Sequence, residues 1–179
     1  GQTQPVTLGI PGIFSVYNAL GVVGAALALG VPLDKIAGAL RTAKSVKGRV
    51  EVVPTPGKDY TVIIDYSHTP DSLENILCAV RGFCKGRILA VFGCGGDRDP
   101  FKRPVMGRIA SELADISIVT SDNPRTEDPY KILRQILAGM QETQKPYEVI
   151  ESRVSAIGRA MELAQRDDVI VLCGKGHET

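Results

Sequence analysis

From Tyr60 to Cys173 short apolar runs alternate with amphipathic stretches, and this alternation most narrows the fold. Runs at 60–66, 88–92, from Ile116, 147–150 and 169–173 carry mostly β-branched and aliphatic residues, which suit buried strands. Between them lie helical patterns. Pro70-Asp-Ser-Leu-Glu74 opens one with a capping signal, and Leu73, Ile76, Leu77 and Val80 make its apolar stripe. Further helices are predicted over 103–113, 129–140 and 155–164. Strands separated by helices of this length predict an α/β fold, a Rossmann-like, mostly parallel sheet with helices on both faces. The strand from Ile116 is read as its central strand.

The first third reads differently. Residues 1–8 are a polar lead-in, and Ser15 is positioned to cap a helix running to about Leu29. Gly30-Val-Pro32 breaks it, a second helix follows over 33–43, and a strand is expected over 48–53. Gly21, Gly24, Ala25, Ala26 and Ala28 give the first helix a narrow surface that a neighbour can approach closely. Two such helices alone expose much apolar surface, so the pair is expected to belong to a domain whose remainder lies elsewhere. A start at Gly1 and an end inside a glycine-rich loop at Thr179 read as a piece of a longer protein.

Composition excludes several functions. Twenty-one basic and 20 acidic residues leave no field for non-specific nucleic-acid or membrane binding, so anion recognition must be local. The run from Ala19 to Leu33 is too short to span a bilayer, and no basic segment leads into a cleavable signal. Cys78, Cys84, Cys94 and Cys173 show neither Cys-x-x-Cys nor zinc spacing, so they read as reduced thiols in a cytoplasmic protein. Gly93-Cys-Gly-Gly96 completes no nucleotide fingerprint, and His68 and His177 do not read as a zinc pair. No metal ligand is expected in the chain.

The chemistry gathers at strand ends. The strand over 60–66 delivers Asp65, Tyr66, Ser67 and His68, and that over 88–92 delivers Asp97, Arg98 and Asp99, with Lys102 and Arg103 beyond. The Ile116 strand runs into Asp122-Asn-Pro-Arg125, where Pro124 ends the strand; the last strand runs into Gly174-Lys-Gly-His-Glu178. A lone Asp-Asn-Pro turn is ordinary loop chemistry. In a parallel sheet, however, all these carboxyl ends share the edge at which open α/β folds bind ligands.

Asn18 in Phe14-Ser-Val-Tyr-Asn18, Gly48-Arg49, Asp65-Tyr-Ser-His-Thr-Pro-Asp71, Gly93-Cys-Gly-Gly-Asp-Arg-Asp99 with Lys102-Arg-Pro104, Asp122-Asn-Pro-Arg125 and Gly174-Lys-Gly-His-Glu178 together resemble the Mur ligases. The likeness is greatest to members that append meso-2,6-diaminopimelate. Ser67, where alanine is usual, and Pro100-Phe101, in a loop often more basic, depart mildly from the pattern.

The resemblance implies that residues 1–48 end a central ATP-binding domain and that 49–179 are most of the carboxyl-terminal, amino-acid-binding domain, truncated at its end. It implies diaminopimelate contacts at Arg98, Asp122, Asn123, Pro124, Arg125, Gly174 and Glu178, and ATP contacts at Asn18, Arg49, Asp65 and His68. From the residues alone, the last four also read as a helix-face amide, a strand-edge cation, a strand-end cap and a turn histidine. The implied activity is ATP-dependent amide formation in peptidoglycan precursor synthesis, by a monomer using ATP, Mg²⁺ and UDP-N-acetylmuramoyl-dipeptide. Catalytic residues are expected upstream of Gly1. Two other readings stand beside it: a relative that adds a different amino acid, and a non-catalytic binding module without the ATPase half.

Overall fold

The computed structural model describes residues 3–10, 12–44, 46–141 and 143–176, and the chain divides into two compact units, Gly1–Val46 and Lys47–Thr179. The first unit holds helices α1 (Ile13–Ala28) and α2 (Leu33–Thr42), which pack together. Ser15 does not cap α1. Gly12 takes the N-cap at φ 97°, and Ser15 lies buried in the first turn, its amide donating to the Gly12 carbonyl at 3.0 Å. A glycine reaches that left-handed conformation without the Cβ clash a serine would meet. Ile13, Tyr17, Leu20, Val22 and Leu29 of this unit are exposed.

The second unit is the α/β domain. Its elements are β1 (Glu51–Val53), β2 (Thr61–Asp65), α3 (Pro70–Arg81), β3 (Ile88–Phe92), α4 (Lys102–Leu113), β4 (Ile116–Val119), α5 (Pro129–Ala138), β5 (Tyr147–Val149), α6 (Arg153–Leu163) and β6 (Val169–Cys173). The sheet runs β1-β2-β6-β3-β4-β5; β1 is antiparallel to β2 and the other pairings are parallel. The predicted mostly parallel α/β fold is therefore present. The expected central strand is not central: β6 and β3 hold the middle, and β4 lies between β3 and the edge strand β5. The last strand in sequence inserts between β2 and β3, an order that no local pattern encodes.

The period-2 alternation of strand side chains explains both faces. Val62, Leu89, Val91, Ile118 and Ile170 form one cluster, covered by Ala156 and Ala160 of α6. Their alternates Ile63, Ile88, Ala90, Phe92, Val119 and Val171 are equally buried, and α3 and α4 pack on the sheet with α5 against α4. Every residue of β3 is buried, as a strand covered on both sides requires. The α3 capping signal is realised by Thr69, which accepts from the Ser72 amide while the Ser72 hydroxyl accepts from the Thr69 amide. Among the described residues no helix is long and apolar enough to cross a membrane.

Two glycines let α4 and α5 meet closely. A Cβ on Gly107 would lie 2.1 Å from the Ile136 carbonyl oxygen, and one on Gly139 would lie 1.8 Å from that of Pro104. Alanine at 107 would gain about 1 kcal/mol of helix propensity. Parting two packed backbones costs roughly 1–3 kcal/mol, however, so Gly107→Ala should lower stability. Denaturant unfolding of the variant checks this; a rise in midpoint would mean that the helices are not so closely packed.

Candidate functional site

At the carboxyl ends of β2, β6, β3 and β4, adjacent strands of the sheet, the loops enclose a cleft of about 750 Å³. The loop after β2 contributes Tyr66, His68 and Thr69, with Pro70 from the start of α3; that after β3 contributes Gly95, Arg98, Asp99 and Phe101, with Lys102 and Val105 from α4. Asp122, Asn123 and Arg125 enter after β4, and Gly174 after β6. Five of the residues expected at a diaminopimelate site thus line one cleft: Arg98, Asp122, Asn123, Arg125 and Gly174. Pro124 does not line it; its carbonyl lies against Gly96. Glu178 lies outside the described residues.

Backbone proximity makes the loop after β3 glycine-rich. A Cβ on Gly93 would lie 2.2 Å from the Thr120 carbonyl oxygen, and one on Gly96 would lie 1.9 Å from that of Pro124. With no side chains between them, the loops exchange hydrogen bonds. The Gly96 amide donates to the Asn123 carbonyl at 2.8 Å, and Arg125 Nη1 donates to the Gly96 carbonyl at 2.5 Å. The Asp97 carboxylate accepts from the Thr126 amide at 3.2 Å and its hydroxyl at 2.8 Å, while the Asp97 amide donates to Glu127 at 2.7 Å. Both Asp97 and Arg125 sit at φ 50°, a left-handed conformation uncommon for side chains of either kind.

Behind this seam lies Arg103, whose side chain is 1% exposed. Its Nη1 and Nη2 make a two-pronged contact with the Glu127 carboxylate at 2.9 and 2.6 Å, and they also reach Gln135 Oε1 and the Gly95 carbonyl. Its Nε has no hydrogen-bond partner. The Arg103 hydrogen bonds, with the Asp97 amide second, hold the Glu127 carboxyl down at about 2, and Glu127 in turn raises the Arg103 guanidinium. A paired guanidinium is the form in which a buried charge is tolerated.

Arg153, at the start of α6, ties two further strand ends, donating to the Ser121 carbonyl at 3.1 Å and the Cys173 carbonyl at 3.0 Å. These are the residues just before Asp122 and Gly174. Asp122 is itself 3.9 Å from Lys175 Nζ. Lys102 Nζ donates to the His68 carbonyl at 2.7 Å, joining α4 to the loop after β2.

The residues expected at ATP are placed in three ways. Arg49 lies 4.6 Å from the Tyr66 ring centroid, and Tyr66 stands 4.7 Å from the His68 ring, so the three form a row of which Tyr66 and His68 line the cleft. Asp65 is buried and serves as a strand-end cap, accepting from the Val50 amide at 2.9 Å and from the Ser67 amide and hydroxyl. Val50, next to Arg49, is held at φ 47°, an outlier for a β-branched residue. Asn18 is exposed on α1, in the other compact unit.

Burial pushes the Cys94 and Cys173 thiols up to about 12, so neither supplies a nucleophile. Sequence reasoning singled out neither Glu127, Thr126, Gln135 nor Arg153. Glu127 is 24 residues from Arg103, and nothing local in either segment announces the pair. The one available signal was an arginine at an otherwise apolar position of α4, beside Met106 and Ala110.

Residues 48–176 match the family described as Mur ligase, glutamate ligase domain. UDP-N-acetylmuramoyl-L-alanyl-D-glutamate–2,6-diaminopimelate ligase of Clostridium botulinum is 52% identical over 178 residues, 99% of this chain and 36% of that protein. The protein of the same name from Trichormus variabilis is 55% identical over 168 residues, 93% of this chain and 34% of its own. A solved structure of a ligase of that name superposes with a TM-score of 0.73 at 36% identity, covering 97% of this chain and 35% of its own. The chain thus spans little more than a third of these relatives' length.

The Arg103–Glu127 pair makes stability depend on acid. A carboxyl held at about 2 instead of its ordinary 4.5 stabilises the fold above pH 4.5, and that contribution drains away as pH falls towards 2. Thermal unfolding of wild type and Glu127→Gln should therefore differ most at pH 6–7, with wild type higher, and converge near pH 2. A gap independent of pH would show that the charge of Glu127 contributes nothing.

Proposed function

This chain belongs to the Mur ligase family, and we propose that it forms the carboxyl-terminal part of a ligase adding meso-2,6-diaminopimelate to UDP-N-acetylmuramoyl-L-alanyl-D-glutamate. The carrying observation is the convergence of Arg98, Asn123 and Arg125 with Asp122 and Gly174 on one cleft. Diaminopimelate differs from lysine by a carboxylate on its distal carbon. A planar guanidinium can hold that group with two parallel charged hydrogen bonds, and Arg125 and Arg98 supply such forks. A carboxylate such as Glu178, with the Gly174 backbone carbonyl, suits the distal ammonium. A volume of about 750 Å³ is ample for one amino acid and leaves room for the acyl partner.

On this reading residues 1–48 end a central ATP-binding domain and 49–179 form the amino-acid-binding domain of a cytoplasmic, monomeric enzyme of peptidoglycan synthesis. ATP supplies the activation: its γ-phosphoryl group goes to the glutamyl carboxylate, giving an acyl phosphate and ADP. The diaminopimelate amine, having lost its proton, attacks the acyl carbon; the amide bond forms as phosphate leaves. The chain's own part is to present the amine and exclude wrong amino acids.

Arg49, with the Tyr66 and His68 rings, fits a nucleotide, offering a cation and two π-faces. Asp65 accepts three hydrogen bonds already, which leaves about one of a carboxylate's four lone-pair sites for a sugar hydroxyl. Asn18, which the resemblance also assigns to ATP, belongs to the other compact unit. Magnesium would offset the charge of the ATP phosphates; among the described residues no group of three or more His, Cys, Asp or Glu stands together.

In the full-length protein, Arg125→Ala should weaken diaminopimelate binding by on the order of 2–5 kcal/mol, because the distal carboxylate is then desolvated without a partner. The Michaelis constant for ATP should hardly change. Arg125→Lys should recover part of the loss, since an ammonium lacks the planar fork. Rates with diaminopimelate and lysine, compared for wild type and Arg125→Ala, decide: equal ratios in the two proteins would remove the substrate assignment.

A further inference from the structure

Arg125 occupies the left-handed region at φ 50°, and so does Asp97 in the facing loop. Aspartate tolerates that region better than arginine, and the conformation at Arg125 in particular needs support from its surroundings. That support is reciprocal. The Asp97 carboxylate takes both the amide and the hydroxyl of Thr126, the residue after Arg125, and the Glu127 carboxylate takes the Asp97 amide. Arg103 fixes Glu127 from behind.

Helix capping does not account for the Asp97 carboxylate. The N-cap of α5 is Asp128, whose side chain already accepts from the Tyr130 amide. What the Asp97–Thr126 bonds do hold is the backbone immediately beyond Arg125. We propose that Asp97, backed by Glu127 and Arg103, is a positioning residue that aims the Arg125 guanidinium into the cleft. The inference rests on the reading of this cleft as the amino-acid site. Without the cross-tie, Arg125 relaxes to an ordinary negative φ, and its guanidinium leaves the Gly96 carbonyl and swings away from Asn123 and Arg98.

The test uses the full-length ligase and Asp97→Gly, which keeps a backbone tolerant of positive φ and deletes the carboxylate. The Michaelis constant for diaminopimelate should rise about tenfold or more, that for ATP should stay put, and the melting temperature should fall little. Asp97→Asn retains an oxygen for the Thr126 amide and should restore most of the loss. In an Arg125→Ala background Asp97→Gly should cost nothing further, because the group that it aims is gone.

Equal penalties with and without Arg125, or an ATP constant that rises in step, would overturn the proposal. If Asp97→Gly does not fold, Thr126→Val removes one cross-tie and should give a smaller rise with the same dependence on Arg125. Should Arg125→Ala itself leave the diaminopimelate constant unchanged, the substrate reading falls and this inference with it. Should Arg125→Ala raise it while Asp97→Gly does not, the positioning role alone falls.

Discussion

The pairing of Arg103 with Glu127 is the contact on which the cleft depends. A guanidinium with a side chain 1% exposed sits beneath two loops and takes oxygens from three segments, Gly95, Glu127 and Gln135. Such a pair is a poor source of net stability, because desolvation offsets much of the attraction. Its value lies in geometry. A planar fork donates to carboxylate oxygens in few directions, so the loops after β3 and β4 can settle in few arrangements. An apolar residue at 103 would fill the space and leave the loops unregistered.

Glycine completes what the ion pair begins. Gly93 and Gly96 let one loop lie backbone to backbone on the other, close enough for direct hydrogen bonds. The run 93–96 completes no nucleotide fingerprint, and Gly93 and Gly96 serve loop–loop contact instead. Left-handed Asp97 and Arg125 belong to the same arrangement, since strain of that kind persists where neighbours over-determine the backbone. Arg153 does for the Ser121 and Cys173 carbonyls what Arg103 does for the loops.

The opposite edge of the sheet is tied by different means. Asp168, 2% exposed, accepts from Arg87 and from the Arg87 and Gln165 amides, locking the start of β6 to β3. Burial would raise its carboxyl, and these hydrogen bonds outweigh that and hold it low. This edge carries ordinary closure of a parallel sheet. The carboxyl edge carries exposed guanidinium groups at Arg98 and Arg125, which line the cleft.

Local pattern determined the fold class, because strand and helix periods of 2 and 3.6 are written in adjacent residues. It placed β3 at 88–92 and β6 at 169–173 as observed, and found the strand-end polar loops; Gly93 and Gly174 directly follow their strands, whereas β4 ends at Val119, ahead of Pro124. It also brought Arg98, Asp122, Asn123, Arg125 and Gly174 to one edge, since parallel strands deliver all their carboxyl ends together. Tertiary structure alone decided that β6 inserts between β2 and β3, which demotes β4 from the centre. It alone joined Arg103 to Glu127 and Asp97 to Thr126. Strand order and ion pairing depend on residues tens of positions apart meeting in space, and no periodicity along the chain records which partner they meet.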